Sequence, residues 1–76
     1  MTVTDAKREI AKVLGVKPKA VKISRYKDGL HDRWCGLADV ARSGGDSYVS
    51  VGFPGETRDS ILLLLVAAVK GAAPPP

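Results

Sequence analysis

The chain has 76 residues, a formal net charge of +4 and a single cysteine. A domain of this size buries only about 60% of the surface its unfolded chain exposes, so it holds one core and is marginally stable. One cysteine excludes an intrachain disulfide and a cysteine-based zinc site. The longest apolar run, the nine residues Ile61 to Val69, falls far short of the ~20 that a membrane helix needs.

Residues 4–14 predict an amphipathic helix. Ala6, Ile10, Val13 and Leu14 recur on one face at helical spacing, with Lys7, Arg8 and Lys12 elsewhere. Thr2 or Thr4 caps its start, and Asp5 lies near the positive end of the helix dipole. Gly15 stops it, and Pro18 falls in the connection, where it cannot continue a helix.

Three strand-like runs follow. Residues 20–26 alternate, with Val21 and Ile23 on one face. In residues 33–42, Trp34, Ala38 and Val40 share a face if Gly36 is tolerated between them, while Cys35 and Leu37 take the other. A glycine in mid-strand predicts a bulge or a close backbone approach. Residues 47–53 alternate best, with Val49, Val51 and Phe53 together, and Ser43-Gly44-Gly45-Asp46 reads as the hairpin loop before them.

Phe53-Pro54-Gly55 turns the chain into a closing helix. Thr57 caps it, Asp59 and Lys70 complement its dipole, and Gly71 ends it. Such a helix is apolar on nearly every face and must be buried on more than one side. Ile61, Leu64, Leu65 and Ala68 suit the sheet, and Leu62, Val66 and Val69 suit the first helix, which leaves Leu63 and Ala67 outward. On a sharper view, Leu62, Leu63 and Val66 form a self-association surface and the chain is a homodimer, because contiguous exposed apolar patches mark interfaces.

The predicted order is α-β-β-β-α, an α+β fold with a three-stranded antiparallel sheet and both helices on one face. Residues 1–71 form one domain, and the Pro-rich tail 72–76 is expected to be disordered or extended. The expected core is Ile10, Val13, Leu14, Val21, Ile23, Val49, Val51, Phe53, Ile61, Leu64, Leu65 and Ala68. The opening MTVTDAKREI has no hydrophobic core of a secretory signal, so a soluble, cytoplasmic protein without membrane contact is expected.

Charge is distributed unevenly. Residues 1–33 carry nine Lys/Arg against four Asp/Glu, and the remainder carries three against four. A basic half on a small domain points to a polyanion partner, RNA or DNA. Trp34 and Tyr48 could stack bases as an exposed platform, or Trp34 could pack in the core. His31 and Cys35 are the only nucleophile-and-base pair, and a half-buried thiol is usually inert. Asp28, Asp32, Asp39 and Asp46 lack metal-loop spacing and read as turn residues. No phosphate-binding glycine motif is present, so no cofactor, metal or catalytic role is assigned.

With this element order the chain resembles the double-stranded-RNA-binding domain family over most of residues 4–70. The local match is Gly29-Leu30-His31-Asp32-Arg33-Trp34, similar to the family's first hairpin loop, in which G-P-x-H precedes an aromatic that opens the second strand. The resemblance implies that this loop and the first helix each enter an RNA minor groove. It assigns His31 to the loop contact and places Lys7, Arg8 and Lys12 on the matching helix. At the family's phosphate clamp, a lysine cluster opening the last helix, this chain has Arg58-Asp59-Ser60. Only Arg58 is positive there, and Asp59 repels a phosphate. Residues 48–69 also look like the end of HicB-type antitoxin domains and of small phage-encoded proteins.

The sequence thus predicts a non-enzymatic binding module. Its expected nucleic-acid contacts are Lys7, Arg8, Lys12, Lys17, Lys19, His31, Arg33 and Arg58. The alternative is a protein-interaction module acting on a host or phage protein.

Overall fold

The computed structural model describes residues 1–42 and 45–72. Its order is helix α1 (Val3–Leu14), a 3-10 turn (Pro18–Ala20), strands β1 (Val21–Asp28), β2 (Arg33–Arg42) and β3 (Gly45–Pro54), and helix α2 (Ser60–Ala72). The strands form one antiparallel sheet in the order β1-β2-β3. This is the predicted α-β-β-β-α architecture.

Helix α1 begins in a reciprocal cap. The Thr2 hydroxyl accepts from the Asp5 amide, and the Asp5 carboxylate accepts from the Thr2 amide, both at 3.1 Å. Two amides that the helix cannot pair internally are thereby satisfied. At the other end Gly15 has φ +69°, a left-handed conformation that costs glycine little, and it closes the helix. At α2, Thr57 Oγ1 accepts from the Ser60 amide at 3.2 Å, and Ser60 Oγ accepts from the Thr57 amide at 2.9 Å. The predicted cap is therefore present. Gly71 does not end α2, because the helix continues to Ala72. Of the predicted hairpin loop, Gly45 and Asp46 belong to β3 and pair with Arg42 and Ala41. Ser43 and Gly44, and residues 73–76 of the predicted tail, lie outside the described residues.

The sheet has a covered face and an open one. Pairing aligns Arg25 with Gly36 and Gly36 with Val51. A Cβ on Gly36 would collide with Ile61 Cγ2 and lie 3.0 Å from Leu65 Cδ1, so this row faces α2. Regular pairing through Gly36 rules out a bulge, and close helix approach is its role. Helix α1 packs over β1, and α2 over β2 and β3. The two helices run side by side in the same direction, and Lys70 meets Glu9 at 3.9 Å.

The core consists of Ala6, Ile10, Ala11, Val21, Ala38, Val40, Ile61, Leu62, Leu65, Val66 and Val69. Several expected core residues are only half-buried: Val13, Leu14, Ile23, Val49, Val51, Leu64 and Ala68. Phe53 is 56% exposed, which corrects its core assignment. Alternation places Phe53 on the covered face, but β3 is an edge strand and cover is incomplete there. Leu62 and Val66 are buried at 1% and 6% exposure, so they cannot form the expected self-association surface; only Leu63, 58% exposed, points outward.

Gly36→Ala should destabilise the fold by about 1–3 kcal/mol through overpacking, and Leu65→Ala should cost about 2–5 kcal/mol through a cavity. Chemical denaturation checks both. An unchanged midpoint for Gly36→Ala would mean that α2 sits farther from the sheet.

Candidate nucleic-acid interface

The eight predicted contacts do not form one surface. Strand direction sorts the basic residues to two ends of the molecule. The loop between β1 and β2 (29–32) and the start of α2 lie at one end, and the handover from α1 to β1 lies at the other.

At the loop end nearly every cation already has a carboxylate. Asp28 is the organising residue. Its Oδ1 accepts from the amides of Leu30 at 3.2 Å and His31 at 3.4 Å, the bonding of an Asx turn. Its Oδ2 faces His31 Nδ1 at 2.9 Å and accepts from Arg33 Nε at 3.2 Å. Lys27 pairs with Asp32 at 3.2 Å, and its ammonium lies 5.9 Å from the centroid of the Trp34 ring. Asp32 holds φ +46°, tolerable for an aspartate in a tight loop.

Arg25 extends the pattern to α2. Its side chain is only 15% exposed, and its Nη1 donates to the Arg58 carbonyl at 3.3 Å and to Asp59 Oδ1 at 3.4 Å. Asp59 thus compensates a cation held against the residues that lead into α2. Arg58 is exposed and makes no ion pair among the described residues.

The opposite end differs. Lys12 lies in the last turn of α1, Lys17 and Lys19 flank Pro18, and Lys22 is the second residue of β1. All four are exposed, and none makes an ion pair among the described residues. Lys17 and Lys19 line one shallow depression with Leu14, Gly15 and Ala41; Lys19 and Lys22 line its neighbour with Asp39 and Asp46. The two aspartates and the negative end of the α1 dipole moderate this positive surface. Of the remaining predicted contacts, Arg8 is exposed and 3.9 Å from Asp5, while Lys7 is half-buried on α1.

Of the two readings of Trp34, packing holds: it lies partly buried against the core. Trp34 pairs with Phe53 on the covered face, whereas Tyr48 pairs with Asp39 on the open face. They cannot form one stacking platform. Cys35 is buried rather than half-buried, and the His31 ring nitrogen nearest the loop is held by Asp28. Asp28, read from sequence as a turn residue, has that role and also engages two of the residues expected to touch nucleic acid.

Comparison with protein-family models, with curated proteins and with solved structures gives no match to this chain.

The hydrogen bond from His31 is the largest influence lowering the Asp28 carboxyl below its usual 3.8, and the His31 amide and Arg33 act in the same direction against a desolvation cost. Stabilisation of the loop by Asp28 is therefore present above pH 3.8 and lost as pH falls through the lowered folded value. The Leu30 and His31 amides should move in an acid NMR titration below that point. Asp28→Asn should remove the transition, and Asp59→Asn should leave it intact.

Proposed function

We propose that this chain is a non-enzymatic module that binds a polyanion, with nucleic acid the ligand class, weakly and without sequence preference. The observation that carries the proposal is the partition of charge. Lys12, Lys17, Lys19 and Lys22 carry no carboxylate partner among the described residues, whereas Lys27, His31, Arg33 and Arg25 each have one. A lysine with no partner can give its full charge to a phosphate. A paired one must first lose its carboxylate.

The α-β-β-β-α fold supports a likeness to double-stranded-RNA-binding domains, but the charge does not lie where that likeness would use it. The loop that would enter a minor groove is internally neutralised. The start of α2, where phosphates would be clamped, offers Arg58 beside Asp59. Binding through the lysine end instead rests on phosphates, which supply affinity with little sequence information. The alternative of a protein-interaction module draws on a different observation, the exposure of Phe53 and Leu63.

A titration against duplex RNA, duplex DNA and single strands at two salt concentrations tests the proposal. Replacing Lys17, Lys19 and Lys22 with alanine should weaken binding and lower the salt slope by roughly one unit for each phosphate no longer neutralised. Replacing His31 and Arg33 should change little, and Asp28→Ala, which releases both, should strengthen binding. No detectable binding of the native chain at low salt would end the nucleic-acid proposal.

A further inference from the structure

We infer that β3 is a dimerisation strand: two copies of this chain pair their β3 edges antiparallel about a two-fold axis at Ser50, making one continuous sheet. The inference is independent of nucleic-acid binding.

The two edges of the sheet are defended very differently. β1 carries Lys22, Arg25 and Lys27, and charged side chains on an edge discourage pairing with another chain. β3 is a ten-residue edge strand whose only charge is Asp46, near its start. It has no lysine or arginine, and its proline is the last residue. The backbone groups along its outer side are free to pair. Beside them lies apolar side-chain surface: Val49 and Val51 are half-buried, Phe53 is 56% exposed, and Leu64 and Ala68 of α2 are half-buried. An edge with these properties is the type used for strand addition.

The features of β3 select a second copy as the occupant. On the open face the pairing rows are Tyr26–Cys35–Gly52 and Lys22–Asp39–Tyr48. Gly52 has no side chain, and a Cβ there would meet Cys35 Sγ at 2.7 Å. A shallow notch of about 230 Å³, lined by Tyr26, Arg33, Cys35, Ser50 and Gly52, lies over this spot. Tyr48, 73% exposed, stands four residues earlier on the same strand and face. Antiparallel pairing about Ser50 sets Tyr48 opposite Gly52 of the partner subunit, twice by symmetry. Each ring then lies over the notch of the other copy, and a ring covering a cross-strand glycine is a favourable pair. On the covered face Val49 meets Val51 of the partner subunit. Each subunit supplies both ring and notch, as a two-fold interface requires.

Charge favours the same direction. Antiparallel pairing carries the two Asp46 carboxylates to opposite ends, whereas parallel in-register pairing would set like charges side by side.

Sedimentation and cross-linking test the inference. The native chain should reach a dimer between micromolar and millimolar concentration. Tyr48→Lys, at an exposed position that the fold tolerates, should raise the dissociation constant at least about tenfold, the effect of ~1.4 kcal/mol. Leu63→Lys, on the outer surface of α2, should leave it unchanged. With Cys35 replaced by serine, Ser50→Cys should form an intermolecular disulfide on mild oxidation, because directly opposed Cβ atoms lie about 4.5–5.5 Å apart. Asp46→Cys should not, because the two positions are separated by roughly 27 Å of strand. A monomer at millimolar concentration overturns the inference. So does a dimer lost in Leu63→Lys but kept in Tyr48→Lys, and so does cross-linking at 46 as fast as at 50.

Discussion

The closing helix must hide an apolar circumference, and the missing side chain at Gly36 lets it do so. Nine consecutive apolar residues in α2 cannot be covered by a sheet surface alone. Ile61 and Leu65 settle into the space over Gly36, and Leu62, Val66 and Val69 are buried with Ala6 and Ile10 of α1. The sheet on one side and α1 on the other bury Ile61, Leu62, Leu65, Val66 and Val69, leaving Leu64 and Ala68 half-buried and Leu63 and Ala67 exposed. The position of α2 then determines much else. It fixes the segment before the helix that Arg25 reaches from β1, and it leaves the rim of β3 partly uncovered.

Ion pairing sets the second level of organisation. A net charge of +4 suggests a broadly cationic surface, yet carboxylates are placed selectively. Asp28 serves a turn, the His31 ring and Arg33 at once, Asp32 serves Lys27, and Asp59 serves Arg25. Exposed pairs of this kind add little stability, with a median of about 0–1 kcal/mol. Their larger effect is on where charge is available. The loop end becomes structured and nearly neutral, while the lysines around Pro18 keep their charge. Net charge by itself could not distinguish these ends, since the pairs join residues as distant in sequence as Arg25 and Asp59.

Local signals made most of the fold legible. Helical spacing, the Thr2 and Thr57 caps, Gly15 and strand alternation depend on near neighbours, and all appear in the structure. Gly36 was legible as an exception whose meaning needed α2 above it. Burial was less so. Alternation assigns Phe53 to the covered face, but only the strand order shows that this face lies at an edge. Leu62 and Val66 were legible two ways, against the first helix or on a self-association surface, and their burial follows the first. The candidate site was least legible, because a basic residue in sequence carries no mark of its carboxylate partner. Asp28 was the partial exception, since an aspartate two residues before Leu30 signals an Asx turn.

The proposed polyanion binding and the proposed dimerisation are separable, but geometry would join them. The lysine end lies where β1 begins and β2 ends, which is also where β3 begins. Antiparallel pairing of two β3 strands carries the two lysine ends to opposite extremes of the dimer, separated by at least the length of the paired strand, roughly 30 Å. On the proposed reading, a single end with four lysines moderated by Asp39 and Asp46 would bind a polyanion weakly. Two ends on one sheet would address a long polyanion together, the second engaging at high effective concentration. A ligand too short to span both ends would gain nothing from the pairing. Dimerisation through β3 would thus convert a weak, non-selective surface into one that selects ligands by length, with no base contact at either end.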